Sequence, residues 1–235
     1  MQDILREAFP NANDTHIAEF AAPISEVMGR YEINTFLRQA HFLAQIGHES
    51  GELLYREEIA SGRAYGWRRD LGNTQRGDGI RFKGRGLIQL TGRYNYTAYD
   101  EYRGGKGTYI ESPGLVAEDP FTCVDVAGWF WSQRKLNRYA DKDSLRAVTY
   151  RVNGGYNGLR DRMRLLGLAK RALGMDKQDT DTRRIQTLLN EAGYSVSVDG
   201  ILGPQTKNAI IRFQIDQGLT PDGIVGPVTL SRLQA

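Results

Sequence analysis

Two groups of acidic side chains lie within one short stretch, HFLAQIGHESGELLYREE, at residues 41–58. The first is Glu49, which follows His48, and the second is the pair Glu57 and Glu58. Two carboxyl groups can hydrolyse a glycosidic bond, because one protonates the leaving oxygen while the other activates water or stabilises positive charge on the sugar. The spacing therefore makes sugar hydrolysis the first chemical hypothesis for this chain.

An apolar helix is predicted to position Glu49. Asn34 or Thr35 can cap its start. The inward face recurs with helical spacing at Phe36, Leu37, Ala40, Leu43, Ala44 and Ile46. We expect the helix to end near residues 50–51, which places Glu49 where unpaired carbonyls and the helix dipole disfavour a negative charge. A carboxyl in that environment is suited to donate a proton near neutral pH.

The histidines of this stretch raise metal binding as a rival hypothesis. His41 and His48 are seven positions apart and could share a helix face. The HExxH pattern of zinc proteases is absent, because position 52 holds Glu52, and no further ligand set is evident. We therefore expect neither a metal nor a cofactor. His48 itself could orient the acid, contact substrate or pack, and we predict a substrate contact.

Length and composition predict a globular protein of two domains. The 235 residues are 40% hydrophobic, enough for a sizeable core. No run approaches the roughly 18 apolar residues of a membrane span, and the first residues lack the pattern of a secretory signal. We therefore expect no integral membrane association and accumulation in a cytoplasm. The single cysteine, Cys123, fits a reducing compartment and is predicted to fill the core.

The net charge of +3 is unevenly distributed. From Lys177 onward basic and acidic residues are equal in number, so the excess belongs to the first 176 residues. The positive charge of the first 176 residues is concentrated in residues 62–95, which we call the basic segment. Its cations are Arg63, Arg68, Arg69, Arg76, Arg81, Lys83, Arg85 and Arg93, against Asp70 and Asp78. Such a surface attracts a polyanion, for which bacterial cell wall and nucleic acid both qualify, or it is a solvated loop.

A domain boundary is predicted near LGMDKQDTDTRR, which divides the chain into residues 1–176 and 177–235. An internal repeat follows: DGILGPQT at 199–206 returns as DGIVGPVT at 222–229. Each copy combines an Asp-Gly turn with a proline suited to the first turn of a helix. Two such units packed on a helix around Ile185, Leu188 and Leu189 would form a small three-helix domain. This segment, with its Phe213-Gln214 pair, resembles the type 1 peptidoglycan-binding domain.

The first domain resembles glycoside hydrolase family 19, which includes chitinases and lysozyme-like endolysins. Four blocks occur in the family's order: AHFLAQIGHESG, YREEI, FKGRGLIQLTGRYNY and RVNGGYNGLRDR. The resemblance covers roughly residues 30–172 and implies that Glu49 is the general acid and Glu58 the general base, with Glu57 as a one-residue alternative. It implies that Thr91 holds the attacking water. It also implies substrate contacts for Gln89, Tyr94, Asn95 and Asn153, which could instead serve only turns or the core.

The resemblance implies a mainly α-helical, lysozyme-like catalytic lobe and single-displacement, inverting hydrolysis. In plant chitinases the loop between acid and base is longer and disulfides brace the domain. The shorter loop and unpaired Cys123 suggest an open cleft suited to a branched polymer. We therefore predict a monomeric, bacteriolytic phage endolysin of the muramidase type, which cleaves the β-1,4 glycan of peptidoglycan, with no nucleic acid partner. The alternatives are a chitinase, a lytic transglycosylase that needs only one catalytic acid and leaves an anhydro sugar, and a non-catalytic wall-binding protein.

Two further helices are predicted in the first domain. Asp119 and Pro120 can start one of them, and its apolar residues include Trp129 and Trp131. A tryptophan at helical spacing is more often a core residue than a sugar platform. The second helix is predicted over residues 159–173.

Overall fold

A computed structural model describes the backbone of residues 1–235 and the side chains of residues 1–174 and 181–235. The chain divides into two compact units, Met1–Leu173 and Gly174–Ala235. The predicted boundary between residues 176 and 177 lies in segment 175–180, outside the described side chains. Both units are helical, and the described residues form only isolated β-bridges, which confirms the mainly α prediction. In the described part of the chain, we find no helix long and apolar enough to cross a bilayer.

The first unit contains the longer helices that build the core and several short ones. They are α1 (Gln2–Ala8), α2 (Asp14–Arg30), α3 (Phe36–Glu49), α4 (Asp78–Arg81), α5 (Arg93–Tyr102), α6 (Thr108–Glu111), α7 (Leu115–Glu118), α8 (Pro120–Gln133), α9 (Asn137–Ala140), α10 (Leu145–Asn153) and α11 (Leu159–Ala172). Two 3₁₀ turns, Arg63–Tyr65 and Arg69–Leu71, lie in the basic segment. Helix α11 packs against α1 and α3, and α2 packs against α8.

Helix α8 forms as the sequence predicts. The Asp119 carboxylate accepts a hydrogen bond of 2.8 Å from the Thr122 backbone N–H, and Pro120 is the first helical residue. Trp131 is fully buried, and its ring meets Phe42 of α3 edge to face, with centroids 5.4 Å apart. Cys123 is buried as well, and burial raises the pKa of its thiol to about 12. The prediction of a core cysteine is therefore confirmed.

A buried charge cluster joins α2, α5 and α8. Asp125 is completely buried and accepts hydrogen bonds from the hydroxyls of Tyr31, at 3.1 Å, and Tyr99, at 2.8 Å. Arg30 and Arg103 donate to the same carboxylate at 3.3 and 3.0 Å. A buried carboxylate is tolerated only when its lone pairs are satisfied, so these four donors fix the relative positions of the three helices.

The second unit consists of α12 (Met175–Glu191), α13 (Pro204–Asp216) and α14 (Pro227–Leu233). Its small core contains Leu189, Val196, Ala209, Ile210, Phe213 and Leu233. Pro204 and Pro227 occupy first helical turns, as the repeated sequence predicts. The three-helix architecture expected from the repeat is therefore present.

Each repeated turn of the second unit is closed by a glutamine side chain. Gln186 accepts from the Gly200 N–H at 2.8 Å and donates to Asp199 at 2.7 Å. Gln214 accepts from the Gly223 N–H at 2.9 Å and donates to Asp222 at 2.8 Å. Both glutamines are buried, and the two hydrogen-bond sets correspond atom for atom. The two copies of the repeat therefore share the same hydrogen-bonded turn as well as a similar sequence.

Candidate active site

Helix α3 places Glu49 at its last position. Thr35 caps the start, because its hydroxyl accepts from the Arg38 N–H at 3.3 Å. At the other end the Ser50 hydroxyl donates to the Ile46 carbonyl at 2.6 Å and accepts from the Leu53 N–H at 2.9 Å. The helix therefore ends where the sequence predicts.

The side chain of Glu49 forms an ion pair with Arg162 of α11. Arg162 Nη2 lies 2.5 Å from Glu49 Oε1, and Nη1 donates to Gln45 Oε1 at 2.5 Å. The Glu49 side chain is 20% exposed, while Arg162 is almost completely buried. The sequence predicts surroundings that disfavour a negative charge on Glu49, whereas the structure places a buried guanidinium, an attractive partner for that charge, against the carboxylate. One signal for this guanidinium was available: Arg162 falls on the apolar face of α11, between Leu159 and Leu166.

The turn that follows Glu49 is held in a rarely populated conformation. Gly51, Glu52 and Leu53 have φ values of 58°, 59° and 73°. For a non-glycine residue this region costs of order 1–3 kcal/mol, so neighbouring contacts must enforce it. Leu53 is fully buried, and the Glu52 carboxylate accepts from the Asn11 N–H at 2.8 Å and from Arg164 at 2.7 Å. These contacts direct the chain from Glu49 toward the Glu57–Glu58 pair.

His48 faces the loop between α10 and α11. Its Nδ1 lies 2.7 Å from Asp161 Oδ2, and its side chain is 25% exposed. An added Cβ on Gly158 would lie 2.1 Å from His48 Nε2, so only glycine fits there. Although burial raises the pKa of the Asp161 carboxyl, hydrogen bonds from His48 and Arg164 outweigh it and hold that pKa below its usual value. This geometry shows a fixed imidazole, and substrate contact by His48 stays a prediction.

Two uncharged donors bind the Glu58 carboxylate, while the Lys83 ammonium donates to the Glu58 main-chain carbonyl at 3.1 Å. The Tyr65 hydroxyl donates to Glu58 Oε1 at 2.9 Å, and the Gly84 N–H donates to Oε2 at 3.4 Å. The Glu58 N–H in turn donates to the Gly84 carbonyl at 2.9 Å. Burial, followed by the hydrogen bond to Glu58, raises the pKa of the Tyr65 hydroxyl, so this group stays a neutral donor. Sequence reasoning missed Tyr65.

Glu57 is engaged by two cations instead. Arg85 Nε and Lys83 Nζ lie 2.8 and 3.3 Å from the same oxygen, Glu57 Oε1. Arg85 is buried and also donates to the hydroxyl of Tyr96 at 3.2 Å. Glu57 therefore compensates a buried arginine, whereas the partly exposed Glu58 carboxylate forms no ion pair and has uncharged hydrogen-bond donors. The geometry favours Glu58 as the base, and the assignment stays a prediction.

Gln89 and Thr91 lie beside the segment that contacts Glu58. An added Cβ on Gly84 would be 2.6 Å from Gln89 Oε1 and 3.3 Å from Thr91 Oγ1. The Thr91 hydroxyl donates to the Gln89 carbonyl at 2.8 Å, which leaves its lone pairs able to accept from a water. Gln89 itself has a φ of 56°, an uncommon conformation that also occurs at functional sites. The structure thus brings Glu58, Gln89 and Thr91 together.

The remaining predicted contacts differ in exposure. Tyr94 is 68% exposed, whereas the Asn95 amide donates to the Thr91 carbonyl at 2.7 Å and so stabilises the turn. Asn153 ends α10 with an exposed side chain. Two aromatic residues missed from the sequence, Tyr150 and Tyr156, flank it with ring centroids 5.8 Å apart.

Together these residues supply two carboxyl groups in different electrostatic settings. Glu49 lies against a buried guanidinium, and Glu58 lies beside a neutral phenol and a backbone N–H. No group of three or more potential metal ligands occurs among the residues whose side chains are described. Paired carboxyl groups are the side chains that hydrolyse glycosidic bonds.

Comparison with known families agrees with this chemistry. The model for "Chitinase class I" matches residues 6–150, and the model for "Putative peptidoglycan binding domain" matches residues 178–233. The chain therefore belongs to glycoside hydrolase family 19 and carries a C-terminal peptidoglycan-binding domain, which confirms both resemblances. Asn153 and Arg162 lie beyond the matched segment of the hydrolase.

Individual relatives share parts of the chain. A glycosyl hydrolase family 19 domain-containing protein of Haemophilus influenzae is 34% identical over 55% of this chain and 76% of its own length. An endochitinase of Arabidopsis thaliana is 39% identical over 49% of this chain, a segment that spans only 39% of that protein. The crystal structure of chitinase C from Streptomyces griseus superposes with a TM-score of 0.60 at 22% identity, covering 74% of this chain and 76% of that one. The last similarity establishes the fold alone.

Proposed function

We propose that this protein hydrolyses the β-1,4 glycan backbone of bacterial peptidoglycan as a muramidase-type enzyme. The observation that carries the proposal is the presence, in one chain, of a family 19 hydrolase and a peptidoglycan-binding domain. A domain that attaches to the wall raises the local concentration of wall glycan at the hydrolase. Peptidoglycan is therefore both the proposed substrate and the proposed anchoring ligand.

In the proposed mechanism Glu49 protonates the glycosidic oxygen while Glu58 accepts a proton from water held by Thr91. Arg162 fixes the Glu49 carboxyl from the α11 side, and the Tyr65 hydroxyl fixes Glu58. Attack from the opposite face of the sugar inverts the anomeric carbon and requires carboxyl groups roughly 6.5–9.5 Å apart. Proton NMR of the first product anomer tests this step: the inverted anomer is expected, and a retained anomer would contradict it.

The competing function is hydrolysis of chitin, because several relatives are named endochitinases or chitinases. Initial rates of the full chain on purified sacculi and on soluble chitin oligomers separate the two. We expect faster release from sacculi at equal concentrations of cleavable bonds. Efficient cleavage of chitin oligomers with intact sacculi would instead establish a chitinase.

A non-catalytic wall-binding protein is the third candidate. Glu49→Gln keeps the size of the side chain and removes the proton that the mechanism requires. We expect this variant to bind sacculi like the wild type and to leave them intact. Unchanged lysis by Glu49→Gln would support a purely binding role.

The proposal includes a bacteriolytic, phage-type role in which the enzyme accumulates in the host cytoplasm until the membrane is opened. Expression in bacteria with and without a membrane-permeabilising agent tests this part. Lysis is expected only after permeabilisation. Lysis without the agent would contradict the proposed localisation.

A further inference from the structure

The basic segment contains three exposed arginines that form no ion pair with a carboxylate among the described side chains. Arg68 pairs with Asp70 and Arg93 pairs with Asp78. Arg81 donates to the backbone carbonyls of Ile110 and Glu111. By contrast, Arg63, Arg69 and Arg76 are exposed, and none of them forms an ion pair with a carboxylate in the part of the chain whose side chains are described. Their charges face solvent.

These arginines belong to a segment that borders the candidate active site on two sides. Arg63 starts the 3₁₀ turn that ends at Tyr65, whose hydroxyl binds Glu58. Arg69 starts the next 3₁₀ turn, and Gly72 at its end is packed so tightly that an added Cβ would lie 2.8 Å from Tyr94 Cβ. The segment therefore connects the predicted base to a predicted sugar contact.

Close glycine packing keeps Arg76 near the same turns. An added Cβ on Gly79 would lie 2.4 Å from the Gly66 nitrogen and 2.6 Å from the Gly62 carbonyl oxygen. The start of α4, two residues beyond Arg76, is thus fixed against the turn that carries Arg63. These contacts hold the backbone of residue 79 against residues 62 and 66, so Arg63 and Arg76 lie on neighbouring parts of the segment.

An exposed aromatic residue lies within this segment. Trp67 is 67% exposed and has a φ of 61°, a conformation that is rare for a bulky side chain. Strain of this kind persists only where surrounding structure enforces it, and it concentrates at ligand-contacting sites.

We infer that Arg63, Arg69 and Arg76 bind the carboxylate groups of the peptide side branches of the glycan substrate. This inference rests on the proposed function. Arginine presents planar, bidentate donors that match carboxylates, and three such charges beside the cleft complement a branched acidic polymer. An unbranched polymer of N-acetylglucosamine offers them no anionic partner. The three arginines therefore set the preference for peptide-bearing glycan over chitin.

The test compares two triple variants of the full chain. The first is R63Q/R69Q/R76Q, and its control is K106Q/K142Q/R171Q, which removes the same charge from exposed positions elsewhere on the same unit. Both are assayed on intact sacculi, on glycan strands freed of peptides by an amidase and then amidated at the lactyl carboxyls that the amidase exposes, and on soluble chitin oligomers. Circular dichroism confirms that each variant has the wild-type fold.

For R63Q/R69Q/R76Q we expect about a tenfold loss of rate on sacculi at low salt, the order that three exposed arginine–carboxylate contacts supply together. On peptide-free glycan and chitin oligomers its rate stays within about twofold of the control. The loss on sacculi shrinks as salt is raised from about 50 to about 500 mM, because exposed charges are screened. Equal losses on all three substrates, or none on sacculi relative to the control, would overturn the inference.

A binding measurement separates this inference from the proposed function. Soluble muramyl peptides, with free or amidated carboxyl groups, are titrated into the full chain and followed by NMR. Binding that requires both free carboxyls and the three arginines, in a chain that leaves sacculi uncut, would overturn the proposed function and retain the arginine site. Cleavage of sacculi by R63Q/R69Q/R76Q at the rate of the control would overturn the arginine site and retain the proposed function.

A difference between the two triple variants confined to anionic lipid vesicles would mark a membrane contact and also overturn the inference.

Discussion

The catalytic region of the first unit and the repeated turns of the second are both fixed by a side chain that reaches from a helix, but the chemistry differs. Arg162 reaches Glu49 and Gln45 across 113 and 117 sequence positions, and it carries a charge into the interior. Gln186 and Gln214 reach Asp199 and Asp222 across 13 and 8 positions with neutral amides.

This difference predicts that substitutions of these side chains lower the stability of the two units by different amounts. Removing one partner of a buried ion pair leaves an uncompensated charge, whereas removing an amide leaves unpaired polar groups that cost less. In the first unit a charged side chain fixes the catalytic carboxyl, so its loss is expected to destabilise that unit more. In the second unit a neutral amide fixes each turn, so its loss is expected to destabilise that unit less.

The largest expected effect is on catalysis and concerns the two adjacent glutamates. Glu58→Gln should lower kcat by about 10²–10⁴-fold, the usual contribution of a general base. Glu57→Gln should leave kcat within about tenfold, since that carboxylate serves Arg85 and Lys83, but should lower the melting temperature. Rates on whichever glycan the wild type cleaves decide the assignment. The reverse order of effects on kcat would make Glu57 the base.

The next effect is on the stability of the first unit. Arg162→Met should lower its free energy of unfolding by about 3 kcal/mol, the upper end for a lost hydrogen-bond partner, because it leaves both the buried Gln45 oxygen and the charged Glu49 carboxylate without their donor. Arg6→Met is the matched control, since Arg6 and its partners Asp3 and Asp14 are all exposed, and such pairs contribute little to stability. Tryptophan fluorescence in urea reports on this unit alone, as all three tryptophans precede residue 174. Equal losses for both variants would contradict the account of a buried charge.

A smaller effect is expected in the second unit. Gln214→Leu removes the amide that satisfies Asp222, the Gly223 N–H and the Ile224 carbonyl, and should cost about 1–3 kcal/mol. Attachment to sacculi should weaken, while the urea transition seen by tryptophan stays unchanged. Gln217→Leu, at an exposed position, should alter neither property. A shift of the tryptophan transition in Gln214→Leu would show that the two units unfold together.

The smallest effect concerns acid stability. The hydrogen bond from Arg93 outweighs burial and holds the pKa of the Asp78 carboxyl below its usual value. Its contribution to stability is therefore complete above the unfolded pKa of about 3.9 and declines as pH falls through the lower folded value. Asp78→Asn should flatten the loss of stability below about pH 4 in urea titrations. Asp70 forms an exposed pair with Arg68, so Asp70→Asn should change this pH dependence less. An equal change in the two variants would contradict a larger contribution from the buried Asp78 carboxylate.

Local features of this fold could be predicted from the sequence because their causes are local. The Thr35 cap, the start of α8 at Pro120 and the two Asp-Gly turns each depend on residues within a few positions. The positive charge of the basic segment could also be predicted from the sequence. The sequence could not predict which arginines form no ion pair, because Arg93 contacts Asp78 across 15 positions through a fold that composition does not specify.

The parts of the candidate site that sequence missed depend on distant or unusual geometry. Arg162 is one of several arginines in RDRMR, and only the apolar face of α11 distinguishes it. Tyr65 lies in an irregular loop without periodicity. The left-handed conformations of Glu52 and Leu53 are enforced by tertiary contacts against local preference, so no local pattern indicates them.

Mass spectrometry of borohydride-reduced digests of purified peptidoglycan, with the wild type beside Glu49→Gln, tests the central claim most directly. The account predicts reduced N-acetylmuramic acid at the new ends for the wild type and no new ends for Glu49→Gln. Anhydro ends, reduced N-acetylglucosamine ends, or undiminished cleavage by Glu49→Gln would contradict it.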